Sequence, residues 1–270
     1  MTSDPQLAEL KQRIKATWMA GDFGKIAPLI QAEAEAFVTR LQLQPGMKVL
    51  DVGCGTGNQS IPAARAGAHV TAVDIAPNLL EQARAWAQRE GLNIDFREAD
   101  AESLPFQHGE FDVVTSMFAA MFAPRPKLVA AEMLRVCRPG GLIAMASWTP
   151  GSFVAERHEI TARYSPPPAG LESPMLWGDE SAVRERFGEE VAVTVSKRTL
   201  TFDLPLSPSE ASTHFSRYSG SNVMLMQQLD SERRDAFIRE MAAQFTKRNR
   251  GDAAHTIVDS EYLEVYARPD

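Results

Sequence analysis

The 270-residue sequence has only two cysteines, Cys54 and Cys137, and no run of about 20 apolar residues. Two cysteines do not form the disulfide framework of a small secreted domain, and reduced thiols suit the cytosol. The first residues show no basic segment followed by an apolar one, so a secretory leader is not predicted. Without a long apolar run, no transmembrane helix is predicted. These features predict a cytoplasmic protein that has no membrane partner.

Positively charged residues are fewer than negatively charged ones: the chain has 28 Lys and Arg residues and 35 Asp and Glu residues, which gives a net charge of −7. An acidic chain repels phosphate backbones at long range, so we predict no nucleic-acid partner. The five histidines do not have the spacing of zinc ligands, so no metal site is predicted.

Short apolar strands alternate with helical segments over the first half of the chain. Strands are predicted at residues 48–52, 70–73, 94–97, 112–116 and 142–147, and helices at residues 59–66, 77–90 and 127–137. Apolar strands separated by helices are typical of a parallel sheet that is covered by helices on both faces.

The flanking regions have other patterns. Residues 5–41 have near-helical apolar spacing that is interrupted at residues 21–24, which predicts two helices. Residues 149–180 show no period and are predicted to form a long functional loop or lid. A strand is predicted at residues 191–202, helices at residues 208–218 and 229–248, and a final edge strand at residues 261–267, where polar and apolar residues alternate.

The segment DVGCGTG at residues 51–57 contains the end of the first predicted strand and the glycine-rich turn that follows it. Glycines at every second position let the backbone approach a ligand closely, and the next helix offers free amides. The spacing G-x-G-x-G differs from the dinucleotide pattern G-x-G-x-x-G. Asp74, at the end of the second strand, can accept hydrogen bonds from the ribose hydroxyls of a nucleoside cofactor, whether or not that cofactor is a dinucleotide.

Five segments in this order resemble the class I S-adenosylmethionine (SAM)-dependent methyltransferases, and most of all the small-molecule branch related to the ubiquinone and menaquinone C-methyltransferases. The segments are Leu50–Asn58, Val70–Asp74, Asp100–Ala101, Asp112–Val114 and Leu134–Gly141. The resemblance implies a Rossmann-like α/β fold with a seven-stranded, mostly parallel sheet. It also implies SAM as cofactor, S-adenosylhomocysteine as product, and methyl transfer to a C, N or O atom of a small-molecule acceptor.

The predicted fold is one structural domain with four parts. These are an N-terminal helical cap at residues 1–44, a SAM-binding core at 45–149, an acceptor-shaping lid, strand and helices at 150–255, and a closing edge strand at 256–270.

The resemblance also implies roles for particular residues of the core. The methionine part of SAM is expected near the turn, the ribose on Asp74, the adenine near Ile75, Asp100 and Ala101, and the methyl donor opposite Ser116 and Met117. The turn residues are Asp51, Gly53, Cys54, Gly55 and Gly57; Cys54 has no His or Cys partner nearby in sequence and is interpreted as a small filler.

The acceptor pocket is predicted between residues 117–122, the N-terminal helices and residues 152–177, because the methyl group should point toward the segments after the fourth and fifth strands. Candidate lining residues are Trp18, Phe118, Met121, Phe122, Trp148 and Trp177; the cluster at residues 117–122 could equally be hydrophobic core. His158 and His214 are candidates for a general base, although a histidine more often has a structural or surface role.

No catalytic residue is required for this chemistry if the acceptor is a good nucleophile, because alignment and removal of water supply much of the rate. The segment after the fourth strand, SMFA at residues 116–119, lacks the Asn/Asp-Pro-Pro-aromatic motif of adenine or glutamine amino-group methylation. Two other functions remain open from the sequence, an NAD-dependent oxidoreductase and a SAM-binding protein that transfers nothing.

Overall fold

The computed structural model describes residues 5–270, and within them seven strands form a single sheet in the order β3-β2-β1-β4-β5-β7-β6. Strands β1 to β5 are parallel, and β7 is antiparallel to both of its neighbours. This confirms the predicted Rossmann-like α/β fold. The strands are β1 Lys48–Val52, β2 His69–Asp74, β3 Asp95–Glu98, β4 Phe111–Met117, β5 Cys137–Trp148, β6 Ala192–Leu204 and β7 Thr256–Arg268.

The strand order reverses between β1 and β4. From β1 the chain steps outward to β2 and β3 through α3 (Ser60–Arg65) and α4 (Pro77–Arg89), whereas α5 (Pro126–Val136) connects β4 to β5 on the other side. Right-handed crossovers in opposite directions place α3 and α4 on one face of the sheet and α5 on the other. The carboxyl ends of β1 and β4 therefore form a switch point, where open α/β sheets bind ligands.

Two helices precede the sheet, as predicted. Helix α1 spans Pro5–Ala20 and contributes no fully buried residue, whereas α2 (Gln31–Arg40) buries three side chains against the core. Two short 3-10 turns at residues 23–25 and 27–30 separate them. Helix α1 is thus held more weakly than α2, which matters because α1 covers the candidate active site. Among the helices of residues 5–270, none combines the length and apolarity that a bilayer crossing needs.

The prediction that residues 149–180 are irregular is wrong. They contain α6 (Phe153–Tyr164), whose first turn is capped by Ser152: its side chain accepts a hydrogen bond from the Ala155 amide. The buried positions of α6 include Arg157, so a charged residue lies where a helical pattern would show an apolar one. The apolar positions on the buried face of α6 are therefore interrupted, and the sequence pattern does not indicate the helix. Three more helices come after α7 (Glu180–Phe187), namely α8 Pro208–Tyr218, α9 Gly220–Gln228 and α10 Ser231–Arg248.

The prediction of a closing edge strand is also wrong in position. Strand β7 lies between β5 and β6, and β6 is the edge. The alternation that suggested a solvated face comes partly from Glu264, whose side chain is fully buried. Glu264 Oε2 lies 2.5 Å from an Arg40 guanidinium nitrogen and 3.0 Å from Arg198 Nε. A buried ion-pair cluster, and not exposure to water, explains the polar position.

Candidate active site

The glycine turn is hydrogen-bonded to the neighbouring strand β2. The amides of Gly53 and Cys54 both donate to the Val73 carbonyl oxygen, at 2.8 and 2.9 Å. Gly53 and Gly55 have positive φ angles of 76° and 53°, which glycine adopts without steric cost. A Cβ on Gly53 would collide with the Ala119 side chain, whereas a Cβ on Gly55 would meet nothing within 4 Å. Gly53 is therefore required by packing, and the space above Gly55 is open to a ligand.

Asp74 ends β2 beside this turn. Its Oδ2 accepts a hydrogen bond from the Gly55 amide at 2.8 Å, and its Oδ1 accepts one from the Ala76 amide at 2.9 Å. Burial raises the pKa of Asp74 above its usual value. A carboxylate has about four lone-pair sites, so Asp74 can accept further hydrogen bonds from a ligand hydroxyl.

A cavity lies over the turn, at the carboxyl ends of β1, β2 and β4. We call it the cofactor cavity. The structure brings eight of the eleven predicted cofactor residues to its lining: Gly53, Cys54, Gly55, Asp74, Ile75, Asp100, Ala101 and Met117. Burial raises the pKa of the Cys54 thiol well above its usual value, so this residue is a small neutral side chain in the wall.

Asp51, Gly57 and Ser116 do not line the cofactor cavity. Asp51 lies beneath the turn, where its carboxylate accepts hydrogen bonds from Ser60 Oγ at 2.6 Å and Gln59 Nε2 at 3.1 Å. Burial raises the pKa of Asp51 from 3.8 to about 7. The Gly57 amide closes the turn onto the Cys54 carbonyl at 2.9 Å. Ser116 Oγ donates to the Val52 carbonyl at 2.7 Å and so ties β4 to β1.

Among the lining residues of the cofactor cavity that were not predicted, two polar ones bear on the ligand, Lys11 and Gln59. Lys11 of α1 lines the cavity, and its Nζ lies 2.5 Å from both Asp100 Oδ2 and Glu102 Oε2. Gln59 also lines it, and its buried Oε1 has no hydrogen-bond partner among residues 5–270. Lys11 is 89 positions from Asp100, and no local motif links such distant residues.

A second cavity of about 320 Å³ adjoins the first. We call it the acceptor cavity. The two cavities share a wall of six apolar side chains, Ile14, Trp18, Phe23, Ile30, Phe118 and Phe122. The rest of the acceptor cavity is formed mainly by α6, α8, α9 and the end of β5. Helix α1 contributes to both cavities and covers them from one side.

Phe118 stands at the junction of the two cavities. Its φ angle of 55° is unusual for a bulky residue, and strained backbone of this kind is often found at functional sites. Its amide donates to the Ala146 carbonyl at 2.8 Å. The ring stacks on Trp148 with centroids 3.7 Å apart, so the strained backbone is held by packing that directs the ring between the cavities.

The predicted acceptor residues divide into two groups. Trp18, Phe118, Phe122, Trp148 and His158 line the acceptor cavity. Met121, Trp177 and His214 do not. Met121 is buried in the core, Trp177 packs against Phe187 and the Arg186 guanidinium, and His214 Nε2 lies 3.1 Å from the Lys25 carbonyl oxygen.

His158 is the candidate base that reaches the acceptor cavity. Burial lowers the pKa of His158 below its usual value of 6.5. Its imidazole is therefore neutral at neutral pH and can accept a proton.

Known proteins are similar to this chain in sequence or in fold. The family described as a methyltransferase domain matches residues 50–145. A Mycobacterium tuberculosis protein of uncharacterized function is 42% identical over 209 residues, which cover 76% of each chain. The demethylmenaquinone methyltransferase of Renibacterium salmoninarum is 41% identical over 109 residues, 40% of this chain and 44% of that protein. The crystal structure of the YcgJ protein from Bacillus subtilis has a TM-score of 0.61 at 17% identity, and the match covers 88% of this chain and 98% of that one.

The matched segment contains the strand ends and loops that form most of the cofactor cavity. It includes the glycine turn, Asp74, Asp100 and the end of β4. The likeness to YcgJ extends over most of both chains and shows the same fold. The chain belongs to the class I SAM-dependent methyltransferases.

Proposed function

We propose that the protein transfers the methyl group of SAM to a carbon, nitrogen or oxygen atom of a small molecule bound in the acceptor cavity. The wall that the two cavities share carries this proposal, because it brings the cofactor cavity and the acceptor cavity together. When bound, SAM supplies a methyl group that its sulfonium has already activated. The protein then needs to align the acceptor and exclude water.

The residues of the cofactor cavity fit SAM. The Asp74 carboxylate would accept hydrogen bonds from ribose hydroxyls, and the unpartnered Gln59 Oε1 would accept one from the ammonium group. The open space above Gly55 would admit the methionine part close to the backbone. Asp100, beside Lys11 in this structure, would contact the adenine.

Helix α1 would act as a lid over both ligands. It has no fully buried residue of its own, yet its Ile14 and Trp18 line both cavities. The ion pairs from Lys11 to Asp100 and Glu102 hold it over the cofactor cavity. Such a helix can open at low cost to admit ligands and then close to remove water.

The acceptor cavity favours a small and largely apolar acceptor. Rings of Trp18, Phe118, Phe122 and Trp148 form much of its lining, and such a lining strips water from a bound nucleophile. A neutral His158 would accept a proton from an acceptor that must lose one. We include in this proposal a location in the cytoplasm, where the free thiols of Cys54 and Cys137 would stay reduced.

The experiment is a transfer assay with methyl-labelled SAM and a panel of small molecules, read by mass spectrometry for S-adenosylhomocysteine and a labelled product. We expect at least one acceptor to be methylated. Val154→Trp, which fills the acceptor cavity from α6, should abolish transfer and leave SAM affinity within about twofold. Glu159→Trp, on the exposed side of the same helix, is the matched control and should be normal. Transfer by Val154→Trp at the wild-type rate would place the acceptor elsewhere.

A further inference from the structure

Arg157 is a buried cation without an anionic partner. It lines the acceptor cavity from α6 and is 8% exposed. Within residues 5–270 no carboxylate pairs with its guanidinium, and one of its terminal nitrogens, which is buried, has no hydrogen-bond partner. Burial lowers the pKa of Arg157 from its usual value to about 9. Buried charges in proteins are normally paired, so this arrangement calls for an explanation.

Aromatic rings surround the guanidinium but supply no hydrogen-bond acceptor. Its central carbon lies 4.3 Å from the Phe215 ring centroid, 4.9 Å from that of Phe245 and 5.7 Å from that of Phe153. Cation–π contacts of this kind contribute about 0.5–2 kcal/mol each. They hold the planar group in position, and they leave the buried terminal nitrogen without a hydrogen-bond acceptor.

A second unsatisfied donor lines the same cavity. Asn222 of α9 is 2% exposed, and its Nδ2 has no hydrogen-bond partner among residues 5–270. Its Oδ1 accepts a hydrogen bond from Thr161 Oγ1 at 3.3 Å, which fixes the amide oxygen. Arg157 and Asn222 therefore place buried, unsatisfied donors, from two different helices, in the lining of one cavity.

The charge of the lining limits the ligand. Among the described residues around the acceptor cavity, Arg157 is the one permanent charge, and no Asp or Glu is present. His158 is neutral because burial lowers its pKa. A single guanidinium balances a single negative charge, and its fork of N–H groups matches the two oxygens of a carboxylate.

We infer that the acceptor is an amphipathic monoanion whose carboxylate is bound by Arg157 and Asn222, while its apolar part lies against the wall shared with the cofactor cavity. The inference rests on the proposed function, because it takes the second cavity as the acceptor site. It narrows the substrate to a class, aromatic or aliphatic carboxylic acids.

The test measures binding by calorimetry in the presence of S-adenosylhomocysteine. The probes are benzoate, 1-naphthoate and decanoate, each paired with its neutral amide. The variants are Arg157→Met, Arg157→Lys and, as matched control, Arg163→Met, which lies on the same helix with an exposed side chain paired to Glu240. Melting temperature and S-adenosylhomocysteine affinity are measured for every variant.

We expect at least one carboxylate to bind the wild type tenfold or more tightly than its amide. Arg157→Met should lose that preference, Arg157→Lys should keep part of it, and Arg163→Met should keep all of it. Without ligand, Arg157→Met should melt at the same or a higher temperature, because an unpaired buried charge is removed. A fall in melting temperature with unchanged carboxylate binding would show that Arg157 only packs the aromatic rings, and would overturn the inference.

Two further outcomes separate this inference from the proposed function. Equal binding of every acid and its amide, or no binding of any acid, would overturn the inference and leave methyl transfer to a neutral acceptor standing. Arg157-dependent binding of an acid, without transfer to any molecule of the panel, would support the inference and count against the proposed function.

Discussion

Replacement of Asp74 by alanine tests the cofactor site where the structure is most explicit. The carboxylate is 8% exposed and accepts hydrogen bonds from the Gly55 and Ala76 amides. If it also accepts hydrogen bonds from ribose hydroxyls, its removal takes away contacts that are strong because the acceptor is charged and shielded from water.

The expected magnitude comes from those contacts. A hydrogen bond to a charged group contributes about 1.5–3 kcal/mol, and about 1.4 kcal/mol corresponds to a tenfold change in affinity. Loss of one such bond to the ribose predicts a drop of about 10- to 150-fold in SAM affinity. The two backbone amides that lose their acceptor should lower the free energy of unfolding by about 1–3 kcal/mol, and the variant should remain folded.

The assay is calorimetric titration with SAM, together with urea unfolding of each variant. Asp112→Ala is the matched control. Asp112 also accepts a hydrogen bond from a backbone amide, that of Lys48 at 2.8 Å, but it lies near the amino ends of β1 and β4, away from the cofactor cavity. It should lose stability and keep SAM affinity. Equal SAM affinity of Asp74→Ala and the wild type would show that Asp74 only supports the backbone, and would refute the reasoning.

Three other changes test separate parts of the structure. Gly55→Val should lower SAM affinity at least tenfold, because its side chain would enter the open space above the turn; circular dichroism checks the fold, and normal titration would remove the turn from the site. Glu264→Ala should lower the free energy of unfolding by about 2–3 kcal/mol, because its two arginine partners lose their buried anion. The control Glu261→Ala, in an exposed ion pair on the same strand, should change it by less than about 1 kcal/mol. Equal effects of the two substitutions in urea unfolding would contradict this. Folding raises the pKa of Asp51 from 3.8 to about 7, so between these pH values the folded protein binds a proton more readily than the unfolded chain. The free energy of unfolding of the ligand-free protein should therefore fall as the pH rises through this range, and Asp51→Asn should flatten the decline. Identical pH profiles of the variant and the wild type would contradict the raised pKa.

The core of the fold could be predicted because its central strands are largely buried and rich in apolar residues. Strand β1 is a short run whose residues after Lys48 are all buried, and such runs between helices specify a parallel sheet. The second half was harder because two buried charges resemble solvated positions. Arg157 interrupts the apolar pattern of α6, so the helix was not predicted, and Glu264 gives β7 the polar–apolar alternation of an edge strand. Glu264 pairs with arginines that are distant in sequence, and Arg157 packs on the rings of Phe215 and Phe245, which are also distant, so local patterns do not show either environment.

The same division holds for the candidate site. The turn and Asp74 are local motifs at the ends of adjacent strands, and the topology determines their places. Lys11 reaches the cofactor cavity because α1 folds back over the sheet edge, and no local pattern gives the docking of a helix without buried residues. Trp177 was predicted in the pocket for its size and apolarity, but a large aromatic side chain satisfies a core position equally well.

A crystal structure of the protein with S-adenosylhomocysteine tests the central claim most directly. The claim is that cofactor and acceptor occupy adjoining cavities that share the wall at Phe118. The account predicts ribose hydroxyls on the Asp74 carboxylate and the sulfur atom directed toward the acceptor cavity. A nucleoside bound away from Asp74, or a sulfur atom directed away from the acceptor cavity, would contradict it.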